Sequence, residues 1–437
     1  LQGTYTQLLY ENMPGMRGLA SAYGLGFIPG PWMQNISISK GTASVVNGFE
    51  AITGQINVDF KKPEDLKPLY LNFFGDQFGR LEANSDISSQ INEKLSTMTL
   101  FHANLNQFAH DYNGDSFSDH PLIGQINLLN RWKYHGEYHE SVSGIEVIYE
   151  DRKGGQMSYL NDKINGSYGI DVATTRVQAF TKNGFFLDEE SGSSIGTILN
   201  YTYHQQDSRF GVRIFDASQH SFYTNLIYDY NINKSEKSAD NHHHEEGEEC
   251  TDTHDEQMES EGYTDLLHNF KSGVSFQMDL YRELFGPFES RIDEYIPGIF
   301  SEYTFLGIQN FAVTAGIRAD WHNKFGWFVT PRIHAKYNFD EKTVWRFSAG
   351  KGSRTAYPLA ENTSVLASSR LIVMANDLKR EEAINIGSSF TSEFQLFDLP
   401  VTLNLDFYRT WFENQLVVDM DLPGQINFSN LEGESYS

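Results

Sequence analysis

Apolar and polar side chains alternate along most of this chain. From Phe311 to Trp321, the residues Phe311, Val313, Ala315, Ile317, Ala319 and Trp321 fall on one face, with Thr314, Arg318 and Asp320 on the other. From Arg332 to Phe339, Ile333, Ala335, Tyr337 and Phe339 alternate with Arg332, His334, Lys336 and Asn338. Further on, Val401, Leu403, Leu405, Phe407 and Trp411 oppose Thr402, Asn404, Asp406 and Tyr408. A period of two predicts strands with one apolar and one polar face, and helical periodicity is nearly absent. The polar faces carry Arg318, Asp320, Arg332, Lys336, Arg346 and Asp406, charges that a sandwich core does not accept unpaired. Two architectures remain: a sheet with one solvated face, and a large barrel with lipid outside and a wet lumen. No repeat of roughly 40–50 residues recurs, which argues against a propeller. Short turns such as Phe339–Thr343 and Gly307–Asn310 alternate with longer connections such as Gly352–Glu382, an asymmetry that favours the membrane barrel. Trp321, Trp327, Trp345 and Trp411 near strand ends suit interfacial girdles, and ordinary packing would account for any one of them alone.

Composition narrows the picture further. The 437 residues include 23 Tyr and 32 Phe, yet no run approaches the roughly 18 apolar residues of a membrane-spanning helix. A net charge of −25 argues against nucleic acid as a partner, since phosphate binding needs clustered Lys and Arg. The single cysteine, Cys250, excludes an internal disulfide framework. Neither a G-x-S-x-G nor an H-E-x-x-H motif occurs, so the sequence is read as that of a non-enzyme.

The segment Met16–Lys62 differs from the rest: it is rich in glycine, with short β-like pieces at Ile36–Ser39 and Gly54–Phe60. The run from Ile36 to Lys62, ISISKGTASVVNGFEAITGQINVDFKK, resembles the end of the plug domain of TonB-dependent outer-membrane receptors. A strand there meets a Lys40-Gly41 turn, then a hairpin bounded by Gly48 and Gly54, then a last strand entering the barrel. Trp327–Ile333 resembles the family's T-P-R strand start, and Ser348–Arg354 a strand rising into a large outer loop. Asp377–Glu382 resembles its D-L-K-P-E segment, with Arg380 where proline is usual. The resemblance implies an all-β membrane-spanning antiparallel barrel of 22 strands in a full protein. About 15 of them are counted here between Leu69 and Phe412. Residues 1–62 are expected to be the C-terminal part of the plug and 63–437 an incomplete barrel, with more chain at both ends. It implies outer-membrane localisation, a small-molecule ligand, and energised transport through the TonB complex, engaged by a Ton box upstream. A surface lipoprotein partner is a further expectation, and no cofactor is required. The expected ligand is a metal or metal complex (siderophore, cobalamin or divalent ion). The alternatives are a barrel-anchored surface receptor or adhesin, or an importer of glycans or peptides; a passive porin would lack the Ile36–Lys62 segment.

Three groups of residues are candidate sites, and the outer loop around Tyr357–Leu371, which has few charges, could also contact ligand. Tyr23, Phe27 and Trp32, in a glycine-rich stretch, could form a plug apex facing ligand or pack as a structural loop. Asp111, Asn113, Asp115 and Asp119 place oxygen ligands as in the front half of a Ca²⁺ loop. The glycine expected sixth is Ser116 and the twelfth position is Leu122, so a plain polar loop is the competing reading. Finally, the stretch from Asn241 to Gly262 holds His242, His243, His244, His254 and Cys250 among nine carboxylates with no Lys or Arg. That donor set suits a transition metal such as Zn²⁺, Cu²⁺ or Ni²⁺, and an acidic solvated segment is the bland alternative. Strand parity, counted back from Phe339–Thr343 through Gly298–Leu306 and an outside connection at Gly286–Pro297, puts this stretch on the periplasmic side. Counting forward from Leu69, with Ser221–Ile232 as the eighth strand, gives the same side.

Overall fold

The computed structural model describes residues 3–65, 67–161, 166–188, 192–233, 266–286, 288–431 and 433–436. The chain opens with four strands that form one mixed sheet: β1 (Thr6–Tyr10), β2 (Met13–Pro14), β3 (Met33–Lys40) and β4 (Gly54–Phe60). Their spatial order is β2-β1-β4-β3, with β1 parallel to β4 and the other pairs antiparallel. The turns between them use glycine where the backbone is left-handed: Gly41 (φ +81°) leaves β3 and Gly48 (φ +105°) ends a short 3-10 turn.

From Leu69 the strands lengthen and each pairs antiparallel with the next. They are β5 (Leu69–Gly75), β6 (Arg80–Asn92), β7 (Leu95–Asn106), β8 (Leu122–His135), β9 (His139–Gly155), β10 (Gly169–Asp188) and β11 (Ser193–Phe210). There follow β12 (Arg213–Asn233), β13 (Leu266–Phe285), β14 (Phe288–Ile308), β15 (Phe311–His322), β16 (Gly326–Val329), β17 (Arg332–Asp340) and β18 (Thr343–Arg354). Then come β19 (Leu371–Met374), β20 (Glu381–Leu396), β21 (Leu399–Glu413), β22 (Leu416–Asp419), β23 (Gln425–Asn430) and β24 (Glu434–Tyr436). β16 and β17 form one pass across the sheet, both laddered to β15 and interrupted at Pro331, which has no N–H to give. From Leu69 to Glu413 the wall thus makes fifteen passes, in line with the about 15 read from the alternation up to Phe412, and the short β24 starts a sixteenth. The strand order returns from β24 to β5. Described registers, however, run from β5 round to β24 and stop there, and β24 meets β21 over only three residues.

Burial along the wall is inverted relative to a water-soluble sheet. On β9, Ile145 is 58% exposed while its neighbour Glu146 is 3% exposed; on β15, Ile317 is 55% and Arg318 2%. Apolar side chains face outward and charged ones inward, which fits lipid outside and a polar lumen and rules out the solvated-sheet alternative. One sequence expectation changes. Gly286–Pro297 was expected as an outside connection, but β13 runs to Phe285 and β14 already begins at Phe288. The reason lies on the outer face, where Arg282 and Arg291 both pair with Asp293 at 2.6 and 2.7 Å. Charged residues carry the strands past the apolar belt as a paired ribbon. Parity is unaffected: β12 ends at Asn233 and β13 starts at Leu266 on the rim that carries the two-residue turns 309–310, 341–342 and 397–398.

The N-terminal sheet sits inside the lumen, held by both kinds of contact. Tyr10, Met13, Phe27, Trp32, Val58 and Phe60 pack on Met98, Leu100, Leu129, Ile148 and Phe180 of the wall. Glu11 pairs with Arg131 (2.7 Å) and Lys182 (3.3 Å), and Lys61 pairs with Asp86 (2.7 Å). Glu302 accepts hydrogen bonds from the Ser44 hydroxyl (2.7 Å) and the Val45 N–H (3.2 Å), while Arg332 donates to the carbonyls of Ala43 and Ser44. Burial alone would raise the Glu11 pKa, but Arg131 and Lys182 hold it below the ordinary carboxylate value. A depressed carboxylate stabilises the docked state above its unfolded pKa near 4.5 and loses that contribution as pH falls through the folded value. Limited proteolysis near Glu11 should therefore accelerate as pH falls below about 4.5. In Glu11→Gln that acid-dependent step should flatten, and an unchanged profile would contradict the assignment.

Candidate functional site

At the rim bearing the long connections, a cavity of about 520 Å³ opens between the inner sheet's upper loops and the start of the connection after β18. Its lining includes Arg17, Tyr23, Glu50, Arg152, Arg354, Tyr357 and Glu361. The chain reaches this level because β2 ends at Pro14 and the following loop climbs the lumen through Gly18, which sits at φ +59°. A side chain at Gly18 would strike Gln219, whose Oε1 accepts from the Leu19 N–H at 2.9 Å.

Arg17 is the electrostatic centre. Its guanidinium donates to Asp279 of β13, to Glu50 (2.7 Å) and to Glu294 of β14 (3.3 Å). Glu294 also accepts from the Tyr357 hydroxyl at 2.8 Å and lies 3.1 Å from His322 Nε2. Burial disfavours a charged arginine, yet the surrounding carboxylates hold the Arg17 pKa well above its usual value. Burial pushes Glu50 upward despite Arg17, and does the same to Glu361 despite Arg354. A second centre lies beside it: Arg354 pairs with both Glu361 and Glu381, and Glu381 accepts from the Tyr5 hydroxyl at 2.8 Å. Arg152 is held bidentate by Glu150 and lies 5.1 Å from the Tyr23 ring centroid.

Two of the long connections are joined over part of the mouth. The connection 355–380 makes two short helical turns, Pro358–Glu361 and Thr363–Leu366, then β19. β19 pairs parallel with β23 of the connection 414–433, and β22 completes a three-stranded sheet. Beneath it, Tyr357, Leu359, Ala360, Leu366, Ile426 and Phe428 bury against Leu19 of the inner domain and Phe215, Tyr281 and Phe285 of the wall.

Residues 60–437 match the family model described as TonB dependent receptor-like, beta-barrel. The chain belongs to the TonB-dependent receptors. Solved structures of similar fold include the siderophore receptor PirA from Pseudomonas aeruginosa, with TM-score 0.69 and 12% identity over 99% of this chain and 72% of that one. The copper transporter OprC gives TM-score 0.70 and 11% identity, covering 98% and 67% of the two chains. The FrpB iron transporter from Neisseria meningitidis gives 0.65 and 12%, covering 98% and 67%. No curated protein sequence matches. The family's barrels are outer-membrane structures, and no helix among this receptor's described residues is long and apolar enough to cross a membrane.

Against this site, the residues singled out from the sequence separate cleanly. Tyr23 lines the cavity. Phe27 and Trp32 do not reach it; both are fully buried in the packing between inner sheet and wall, so they act as structural residues in this state. Asp111 spends its carboxylate on the N–H groups of Gly114, Asp115 and Ser116, and Asp119 on that of Tyr112. Asn113 accepts from the Asp115 N–H and Asp115 from that of Phe117, which makes the segment a self-bonded turn on the long-connection rim. Among the described residues no group of three or more His, Cys, Asp or Glu is arranged to hold a metal ion. His242, His243, His244, Cys250 and His254 lie outside the described residues. Tyr357 and Glu361 belong to the outer loop that the sequence offered as a possible ligand contact, whereas Arg17, Glu50 and Arg354 were missed. A signal for the first existed, since Arg17 is the one basic residue before Lys40. The packing assignment predicts that Trp32→Ala costs about 3–5 kcal/mol of stability in urea titrations of the micellar receptor. Tyr23→Ala should cost far less, and equal losses would contradict the division.

Proposed function

We propose that this receptor imports a metal complex across the outer membrane, with energy delivered through TonB, and that the complex first settles in the cavity above Arg17. The observation that carries the reading is the cavity's position. It opens on the long-connection rim, and its floor is the inner domain that blocks the lumen. The metal-related part of the proposal draws on fold neighbours described as siderophore, iron and copper proteins.

The lining suits a chelate with polar groups better than a bare cation. Three guanidiniums, Arg17, Arg152 and Arg354, reach the cavity, each already paired with carboxylates: Glu50, Asp279 and Glu294 for Arg17, Glu150 for Arg152, and Glu361 and Glu381 for Arg354. Arg152, beside the Tyr23 ring, is the most exposed of the three. A bare divalent ion would instead need several oxygen, nitrogen or sulfur ligands at short range.

Growth of a deletion strain under limitation for single metals, siderophores and cobalamin tests the substrate class. Rescue by the wild-type gene should appear with a metal complex; a phenotype only with glycans or peptides would end this reading. On the purified receptor, Arg152→Glu should weaken binding of the rescuing chelate at least tenfold, about 1.4 kcal/mol. Unaltered or tighter binding would mean that Arg152 does not hold the ligand.

A further inference from the structure

The joined outer connections form a single piece, and its attachments are divided between two partners. Toward the inner domain, Glu381 is the main tie. Its Oε1 accepts from the Tyr5 hydroxyl (2.8 Å) and from the Leu416 N–H (2.8 Å), and its Oε2 accepts from Arg354. Gln415 donates to the same Tyr5 hydroxyl at 3.1 Å, and the Tyr5 ring packs 4.6 Å from Phe412. One side chain of the inner domain thus grips the end of the first connection and the start of the second. A second seat is apolar, with Leu19 buried under Tyr357, Leu359 and Phe428. Across the mouth the attachments are lighter. Arg213 donates to the carbonyls of Ser369 (2.6 Å) and Arg370 (2.9 Å), and the Tyr168 hydroxyl donates to the carbonyl of Ala367 (2.9 Å).

We propose that these parts form an interlock. The lid made by connections 355–380 and 414–433 is seated in part by Tyr5 and Leu19 of the inner domain, so displacement of the inner domain loosens the lid. With Tyr5 withdrawn, Glu381 at the start of β20 and Gln415 of the second connection lose their shared hydroxyl at once, and with Leu19 withdrawn the apolar underside loses one of its supports. What remains are the lid's contacts with the wall: the apolar packing on Phe215, Tyr281 and Phe285, the Tyr357 hydroxyl on Glu294, and on the far rim three hydrogen bonds to backbone carbonyls at 367, 369 and 370. The coupling is reciprocal by thermodynamic necessity: whatever holds the lid down also resists withdrawal of the inner domain. The cavity above Arg17 touches both partners, through Arg17 and Glu50 on one side and Thr355, Tyr357 and Glu361 on the other.

The test measures the gap across the mouth. Nitroxides on Val212→Cys and Ser369→Cys, in the full chain carrying Cys250→Ser, report the distance between the far rim and the lid tip by pulsed electron paramagnetic resonance. Val212 and Ser369 are both exposed, so the labels disturb no packing. Tyr5→Phe removes one hydroxyl and no volume, and should broaden the distribution toward longer distances; Tyr5→Phe with Leu19→Ser should shift it further. Arg213→Ala, which opens the far clasp, calibrates the size of a freed lid. Lys40→Met, which breaks a contact of the inner domain with Asp406 and touches no lid residue, should leave the distribution as in wild type. If the Tyr5 and Leu19 variants keep the wild-type distribution while Arg213→Ala broadens it, the interlock is overturned. Equal broadening in Lys40→Met would overturn it as well, since the lid would then respond to any loosening rather than to its own seats.

Discussion

Every backbone N–H and C=O in hydrocarbon must find a partner within the protein, and the remaining architecture follows from that requirement. Ladders between long neighbouring strands meet it, and they fix which side chains face outward. Ile145, Val147 and Tyr149 then belong to lipid, while Glu146 and Glu150 turn into the lumen. A wall built this way offers an inner domain few apolar places to dock. The apolar contact around Trp32 and Phe60 against Leu129 and Ile148 is joined by others at Leu19, Ile52 and Phe49, and ion pairs supplement them where the inner domain meets the wall.

Buried ion pairs of this kind add little net stability, because desolvation offsets most of their attraction. Their value here is registry. Arg17 meets carboxylates from the inner domain, β13 and β14 together, so it is satisfied at one height and one rotation in the lumen. Glu381 does the same for the outer connections, since Tyr5, Leu416 and Arg354 converge on its two oxygens. The two hubs make the inner domain, the wall and the lid agree on a single arrangement, and each becomes costly if one member leaves alone.

Much of this was legible in the alternation itself. The number of wall passes, the first wall strand at Leu69, the strand Gly54–Phe60 and the eighth strand around Ser221–Ile232 all follow from a period of two with turn residues between. The extent of β14 was not legible, because its outward Arg291 and Asp293 look like loop residues until their pairing across the strands is seen. The site was hardest to read. Arg17, Glu50, Tyr357 and Glu361 are drawn together from positions hundreds of residues apart, and no local pattern marks residues whose meaning is each other. Aromatic residues misled for the same reason: Tyr23 and Trp32 sit nine positions apart in one glycine-rich stretch, yet one faces the cavity and the other the core.

The parallel pairing of β1 with β4 has a mechanical consequence. β1 runs from Tyr5, beside the lid bases, down to Tyr10 and Glu11 near the opposite rim, matched residue for residue with Gly54–Val58. A force applied to the chain ahead of Gly3 and directed toward the short-turn rim bends back over that ladder. It loads the bonds one at a time from Thr6 and Gly54 downward, as in peeling tape, instead of shearing all of them together. Peeling requires a smaller force and proceeds in a fixed sequence. Tyr5, ahead of the first rung, is the first grip to fail, and Glu11 with its clasp to Arg131 and Lys182 is among the last.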